Sequence, residues 1–351
     1  MVVRFVVVLL ASFWALMGHA TVAKNLYSFE QLVEEVSASP ESADVKAGLQ
    51  AVLVKVTGSK EILSHPDVLT AADDATALLS RFSFTPVEQV IETSQGDTFI
   101  AQRLTLEFDE SAVNNLIVSA GDQPMGALRP SVLVWLAQSQ RGLREFVSSN
   151  DPVAQQVQAQ AQARGLPLTF PQLDEQDLAA MPLSDVWGFF GDSIQEASKR
   201  YRPNAILVGR LVSETNSQEW LLLQGDQTER LNYQGALSTQ LPLLVDQVAD
   251  TLLSPLRLAG FSYRMDKLDI VVEQVTNFAD YLEIIDYIRS IPSVTSLKAA
   301  SLEIDTLTLQ ISLNGNLDQL ERLIALESRL LSVERPDDDP NGVALNYRWQ
   351  P

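Results

Sequence analysis

Residues 131–137 (SVLVWLA) and 205–211 (AILVGRL) are almost unbroken apolar runs in a chain that is otherwise well mixed. A strand with one wet face alternates apolar and polar residues. A near-continuous run belongs to a strand covered on both faces, which in turn demands helices above and below the sheet. Suitable helices follow in sequence. Residues 152–164 read as a helix stopped by Gly165, residues 184–201 as one running through Val186, Phe189, Phe190, Ile194 and Ala197, and residues 241–256 as a long apolar-faced helix. With 166–170 as a further strand and 219–224 and 230–234 as an antiparallel pair, residues 127–264 are predicted to form an α/β domain with a mixed sheet.

The flanking segments read differently. In residues 21–126, Val45, Leu49, Val52, Leu53 and Val56 form one helical stripe. Ser39 and Pro40 stand at its start and Gly58 at its end. A strand near 26–29, a helix over 67–81, paired strands at 86–92 and 98–108 turned at 94–97, and a helix over 111–118 complete an α+β domain. Residues 120–128, with two Gly and one Pro, form the linker. Beyond a short boundary at 264–267 the order is strand 268–275, helix 278–291, strands 294–302 and 306–313, helix 317–326, then a hairpin of 330–334 with 343–349. That βαββαβ order predicts a ferredoxin-like domain over 265–351. The fold class is therefore α/β and α+β multidomain.

Residues 1–20 stand apart. Arg4 is the only charge before Lys24; residues 5–17 (FVVVLLASFWALM) are apolar, and Gly18-His19-Ala20 closes the run with small residues at −3 and −1. These are the parts of a secretory signal peptide cleaved after Ala20. The apolar run is short of the about 20 residues a permanent span takes, and an uncleaved anchor is the alternative. No Cys follows it, so no acylated anchor is expected. Zero Cys also removes disulfides, thiolate metal sites and cysteine nucleophiles, leaving core burial as the source of stability in an exported chain.

Charge and motifs exclude more. Lys and Arg total 25 against 45 Asp and Glu, a net charge of −20, which disfavours nucleic acid as a partner. Yet 11 of the basic residues fall in the middle block, against 14 acids there. His65 is the one histidine past the leader; it precedes Pro66 in a turn, and no G-x-S-x-G supplies a serine beside it. Nucleotide-binding glycine motifs are absent from the sequence. Asp337-Asp338-Asp339-Pro340-Asn341-Gly342 matches the start of a calcium loop, but Arg348 stands where a bidentate Glu is required, so a polar hairpin loop is expected instead. Asp174 and Asp177 read as carboxylates serving a helix start. No catalytic residue, cofactor or metal is assigned.

A candidate crevice remains. In open α/β sheets ligands collect beyond the carboxyl ends of the strands. Trp135 and Gln138 end one apolar strand, and Gly209 and Arg210 end the other. With neighbouring strands these would combine a flat aromatic, a fork of donors and a close backbone approach, suited to an anionic or carboxylate-bearing partner. Arg202, in the basic run Lys199-Arg200-Tyr201-Arg202, extends the group. The competing reading makes Trp135 core, Arg210 a snorkelling stem and the basic run a helix terminus.

Residues 47–58 (AGLQAVLVKVTG), the strand 129–137 (RPSVLVWLA) and the strand 201–211 (YRPNAILVGRL), together with the leader, resemble an uncharacterised exported family of Gram-negative bacteria, domain of unknown function two-zero-six-six. The resemblance spans nearly the whole mature chain, implies a periplasmic location and carries over no site residues. The middle block is more weakly similar to the amino-terminal α/β module of the Tol periplasmic propeller protein, a likeness of fold alone. The expectation is a non-enzymatic periplasmic accessory protein that docks envelope components, with no stable membrane span after cleavage. The alternative is a periplasmic small-ligand binder or hydrolase using the middle-domain crevice.

Overall fold

The stripe Val45, Leu49, Val52, Leu53 and Val56 becomes the buried face of α1 (Ser42–Thr57), each of the five at most 1% exposed. The computed structural model describes residues 23–350 apart from 24, 34–38, 93–97, 258–263, 327–328 and 334–343. The leader, the turn at 94–97 and the acidic run from Asp337 to Gly342 lie outside the described residues. Around α1 stand β1 (Ser28–Val33), α2 (Pro66–Asp73), β2 (Leu79–Glu92), β3 (Thr98–Phe108) and α3 (Glu110–Ser119). The strands form an antiparallel sheet in the order β1-β3-β2. Leu104, Leu106 and Phe108 from β3 meet the α1 stripe, and Val113 and Ile117 from α3 complete that core.

One expectation here is corrected. The helix predicted over 67–81 stops at Asp73, and β2 begins at Leu79. Phe82-Ser83-Phe84-Thr85 has the two-residue period of a strand, and Phe82 and Phe84 pair with Leu106 and Leu104. The aromatic and β-branched residues therefore extend the sheet rather than α2.

The second sheet is built on β4 (Val132–Gln140), followed by β5 (Leu143–Phe146), α4 (Pro152–Ala163), β6 (Leu168–Thr169), α5 (Glu175–Ala180), α6 (Leu183–Gly188) and α7 (Gly191–Ser198). Then come β7 (Ala205–Val212), β8 (Ser217–Gln224), β9 (Gln227–Gln234) and α8 (Leu237–Leu253). The order is β5-β4-β7-β8-β9, with β6 on the start of β4; β4 and β7 run parallel and β8 and β9 antiparallel. Val132, Val134, Leu136, Leu207 and Leu211 face α4 and α8. Leu133, Trp135, Ala137, Ile206 and Val208 face α6 and α7. Both faces are covered, as the apolar runs require. The single helix predicted over 184–201 is broken in two, because Gly188-Phe189-Phe190-Gly191 turns the chain with Phe189 at φ +54°, its ring buried and that of Phe190 exposed.

The third sheet comprises β10 (Arg264–Glu273), β11 (Val294–Glu303), β12 (Thr306–Asn314), β13 (Leu330–Ser332) and β14 (Ala344–Trp349), with α9 (Phe278–Ser290) and α10 (Leu317–Ile324). Its order is β11-β12-β10-β14-β13. A plain βαββαβ path would return its last strand antiparallel beside β10. Here β13 stands at the edge, and the hairpin sends β14 back between them, parallel to β10. The order of β11, β12 and β10 is that of the predicted domain; the fifth strand changes the rest. One buried cluster runs from α4 and α8 into this sheet, so the second and third sheets share a continuous core.

The first unit is fastened to the second through the carbonyl end of α1. Arg129, fully buried, donates from Nη2 to the carbonyls of Lys55 (3.2 Å) and Val56 (3.1 Å) and from Nε to Gly126 (2.8 Å). Burial pulls its guanidinium down to about 10. Arg164, at the end of α4, donates to the Gly58 carbonyl (3.1 Å) and to Asp246 (2.8 Å), and it also pairs with Asp250. Lys60 reaches the same Asp246 from the first unit. Helix ends leave carbonyls unpaired, and here two arginines from another unit satisfy them. Gly165, at φ +65°, lies so close that a Cβ would stand 2.7 Å from the Lys55 carbonyl.

Two outcomes follow from this junction. Arg129→Ala takes the guanidinium donors from the Lys55 and Gly126 carbonyls, leaves Val56 with the Met125 amide alone, and opens a void; urea unfolding is expected to show a loss of about 3–5 kcal/mol. Burial alone would raise the pKa of Asp246, but Lys60 and Arg164 outweigh it and hold the carboxyl below its ordinary value. A lowered folded pKa adds stability above the unfolded value of about 4, and that stability is lost as pH falls through the folded value. Melting temperature is expected to drop as pH falls below about 4, and Asp246→Asn to shrink that drop while lowering stability at neutral pH.

Candidate functional site

The strands carrying the predicted crevice are neighbours: Leu136 pairs with Gly209 and Ala137 with Arg210. Their side chains nevertheless divide between the two faces, because successive residues of a strand point in opposite directions. Trp135 and Arg210 lie on the α6 side. Gly209 serves the other, where a Cβ would stand 2.3 Å from Trp220 and 2.7 Å from Leu136; the glycine admits the Trp220 ring, not a ligand. Gln138 is buried on that second side too and donates to Glu145 (2.9 Å). Trp135 is wholly buried, its Nε1 donating to Ser198 Oγ (2.9 Å). Arg202, in the left-handed region at φ +47°, precedes the amino end of β7, whereas Arg210 approaches its carboxyl end. The five residues therefore form no single crevice.

The rest of the basic run is occupied locally. Arg200 pairs with Asp174 (2.7 Å) and Asp177 (2.9 Å), and its guanidinium holds Asp174 down to about 2. Asp174 caps α5 by accepting from the Asp177 amide. Asp177, in the first turn of α5, is 2% exposed and accepts from the Leu173 amide and from Tyr201 Oη. Burial and then Asp177 push that phenol up to about 12.

What the fold does gather is a row around Arg210. Arg144 on β5 pairs with Ser139, Arg210 on β7 with Ala137, and Arg230 on β9 with Leu221, which places all three on the Trp135 face. The last turn of α6 and the residue after it supply the rings between them, Trp187 and Phe189. Arg144 lies 4.3 Å over the Trp187 ring, and Arg210 lies 5.9 Å from Trp187 and 5.1 Å from Phe189. Arg230 lies 5.5 Å from Phe189. Arg210 is anchored, donating to the Trp187 carbonyl (2.8 Å) and to Glu219 (2.6 Å). Arg144 and Arg230 are exposed, and among the described residues neither has a hydrogen-bond or carboxylate partner. Stacking uses the face of a guanidinium and leaves its edge of N–H donors available. Phe190, 56% exposed, projects from the same turn.

Of this row only Arg210 stood out in the sequence. β5 is four residues long and was not expected, so Arg144 had no assigned face, and Arg230 lay in a strand whose orientation depends on its register with β8. The one available signal was the Trp187-Gly188-Phe189-Phe190-Gly191 cluster, where two glycines interrupt a helical pattern.

A cavity of about 530 Å³ lies elsewhere, where Glu61, Ser64 and His65 meet Gly121, Asp122 and Arg257. Arg257 pairs with Asp122 (2.8 Å) and Glu61 (3.5 Å). His65 Nδ1 accepts from the Asp67 amide (3.3 Å), so the ring is the N-cap of α2. Among the described residues no cluster of three His, Asp or Glu could hold a metal, and no helix is long and apolar enough to cross a membrane.

A family model described as a domain of unknown function (DUF8605) matches residues 20–125, the stretch that holds β1 to β3 and α1 to α3. It is a different unknown-function domain from the exported family named in the sequence reading, on which this match has no bearing. No curated protein matches the chain.

The placement of Trp135 makes its replacement a test of packing. Trp135→Ala is expected to cost about 3–5 kcal/mol in urea unfolding. Trp187→Ala, which removes a partly exposed ring, is expected to cost markedly less.

Proposed function

We propose that the protein is a non-enzymatic accessory component of the cell envelope, exported to the periplasm by residues 1–20, which works by docking other envelope components. The observation that carries this reading is the row on the second sheet, with two guanidiniums that lie over aromatic rings and have no hydrogen-bond or carboxylate partner among the described residues, and an exposed Phe190 beside them. Exposed Arg and aromatic residues on one rigid face have the composition of interaction hot spots. The parts that would signal catalysis are committed otherwise: His65 caps a helix, and Asp174 and Asp177 are tied to Arg200. The leader and the resemblance to an exported family support the location.

A photoreactive residue at position 190, introduced in cells, tests this. Irradiation is expected to yield an adduct with an envelope protein, from the periplasmic fraction, that weakens in Arg144→Gln. Retention of the chain in the cytosol, or an adduct pattern no different from that of a probe on the far side of the protein, would refute it.

A further inference from the structure

We infer that the row is a receptor for a short carboxylate-rich segment of the partner, seated across the strands from Arg144 to Arg230; this rests on the docking reading above. Charge is the first argument. The chain carries a net −20, yet three arginines converge here, and among the described residues Glu219 is the one acid that pairs within the row. Asp185, the acid of the adjoining α6, is taken by Ser184 and Ser193. Like charges this close repel one another, and an incoming carboxylate relieves that repulsion.

Geometry is the second argument. Arg210 already shows the binding mode, its guanidinium 5.1 Å from the centre of the Phe189 ring while it donates to the Glu219 carboxylate at 2.6 Å. Arg144 and Arg230 repeat the approach to a ring, and among the described residues neither has the carboxylate. A guanidinium fixed by stacking presents its fork with little ordering left to do, and the matching group is a planar carboxylate.

Spacing narrows the partner. β5 and β9 are four strand-to-strand steps apart and Arg230 stands four residues out of line with Arg144, but both side chains lean over the rings between them, so the two forks stand no more than about 21 Å apart. An extended segment advancing about 3.3 Å per residue covers that in roughly six residues. The two free forks therefore select acids about six positions apart in a segment lying across the strands. A continuous polyanion such as nucleic acid fits less well, because the surrounding net charge repels it along its whole length.

The test uses a fluorescein-labelled Gly/Ser peptide of about ten residues with two glutamates about six positions apart, read by anisotropy against the mature protein. Binding should weaken with salt, and Arg144→Gln and Arg230→Gln should each weaken it about tenfold with the melting temperature unchanged. Adjacent glutamates in the same peptide should bind more weakly. Wild-type affinity in the double variant would overturn the inference, as would tighter binding of a single-stranded oligonucleotide. Loss of self-association in the double variant would replace the partner by a second copy and overturn it too. If the peptide fails to bind while the adduct at position 190 persists, the acidic-segment inference falls and docking stands; if both fail, both fall.

Discussion

The carbonyl end of α1 is the constraint on which the arrangement of this molecule depends. A helix terminus buried against another unit exposes acceptors that water can no longer reach, and each unpaired one is costly. Arg129 and Arg164 meet that need from the second unit, the first sitting just before β4 and the second at the end of α4. The same arginines thereby fix where β4 begins and how α4 and α8 lie beside the first unit. A lysine could not replace either, since each satisfies several acceptors in different directions from one planar group. The Asp246 carboxylate, shared by Arg164 and Lys60, ties α8 to the same point.

From that anchor the second sheet divides its faces between two tasks. The side toward α4 and α8 joins a core that continues into the third sheet, and Gly209 exists there to admit Trp220. The opposite side is closed by two short helices around Trp135, and the break between them turns Trp187 and Phe189 toward the strand ends. Breaking the helix at Phe189 puts a non-glycine residue in the left-handed region, a strain of roughly 1–3 kcal/mol. What the strain achieves is visible: the turn slots its rings between arginines that arrive from three separate strands.

The divided faces also explain what was legible beforehand. Both apolar runs, the α1 stripe and the succession of elements in the third block were readable, because period and burial are local properties of a sequence. Reading stopped at pairings. The hairpin β5 is too short to show a period, Phe82 and Phe84 were assigned to a helix because their partner strand was not in view, and the insertion of β14 between β10 and β13 depends on the direction in which a hairpin closes. The candidate crevice failed for the same reason. Trp135 and Gly209 share a neighbourhood in sequence logic, but strand register sets them on opposite sides of the sheet.

By itself the sequence determined the covered α/β core, the absence of cysteine chemistry and the acidic balance of charge, since each follows from composition or from local periodicity. Only the tertiary structure decided which arginines are free and which are spent. Arg129, Arg164, Arg200 and Arg210 are consumed by carbonyls and carboxylates on other elements, while Arg144 and Arg230 meet aromatic rings and, among the described residues, keep their donors unpaired. No local pattern distinguishes those two fates, because a side chain's partner is fixed by register and packing between segments that the sequence holds apart.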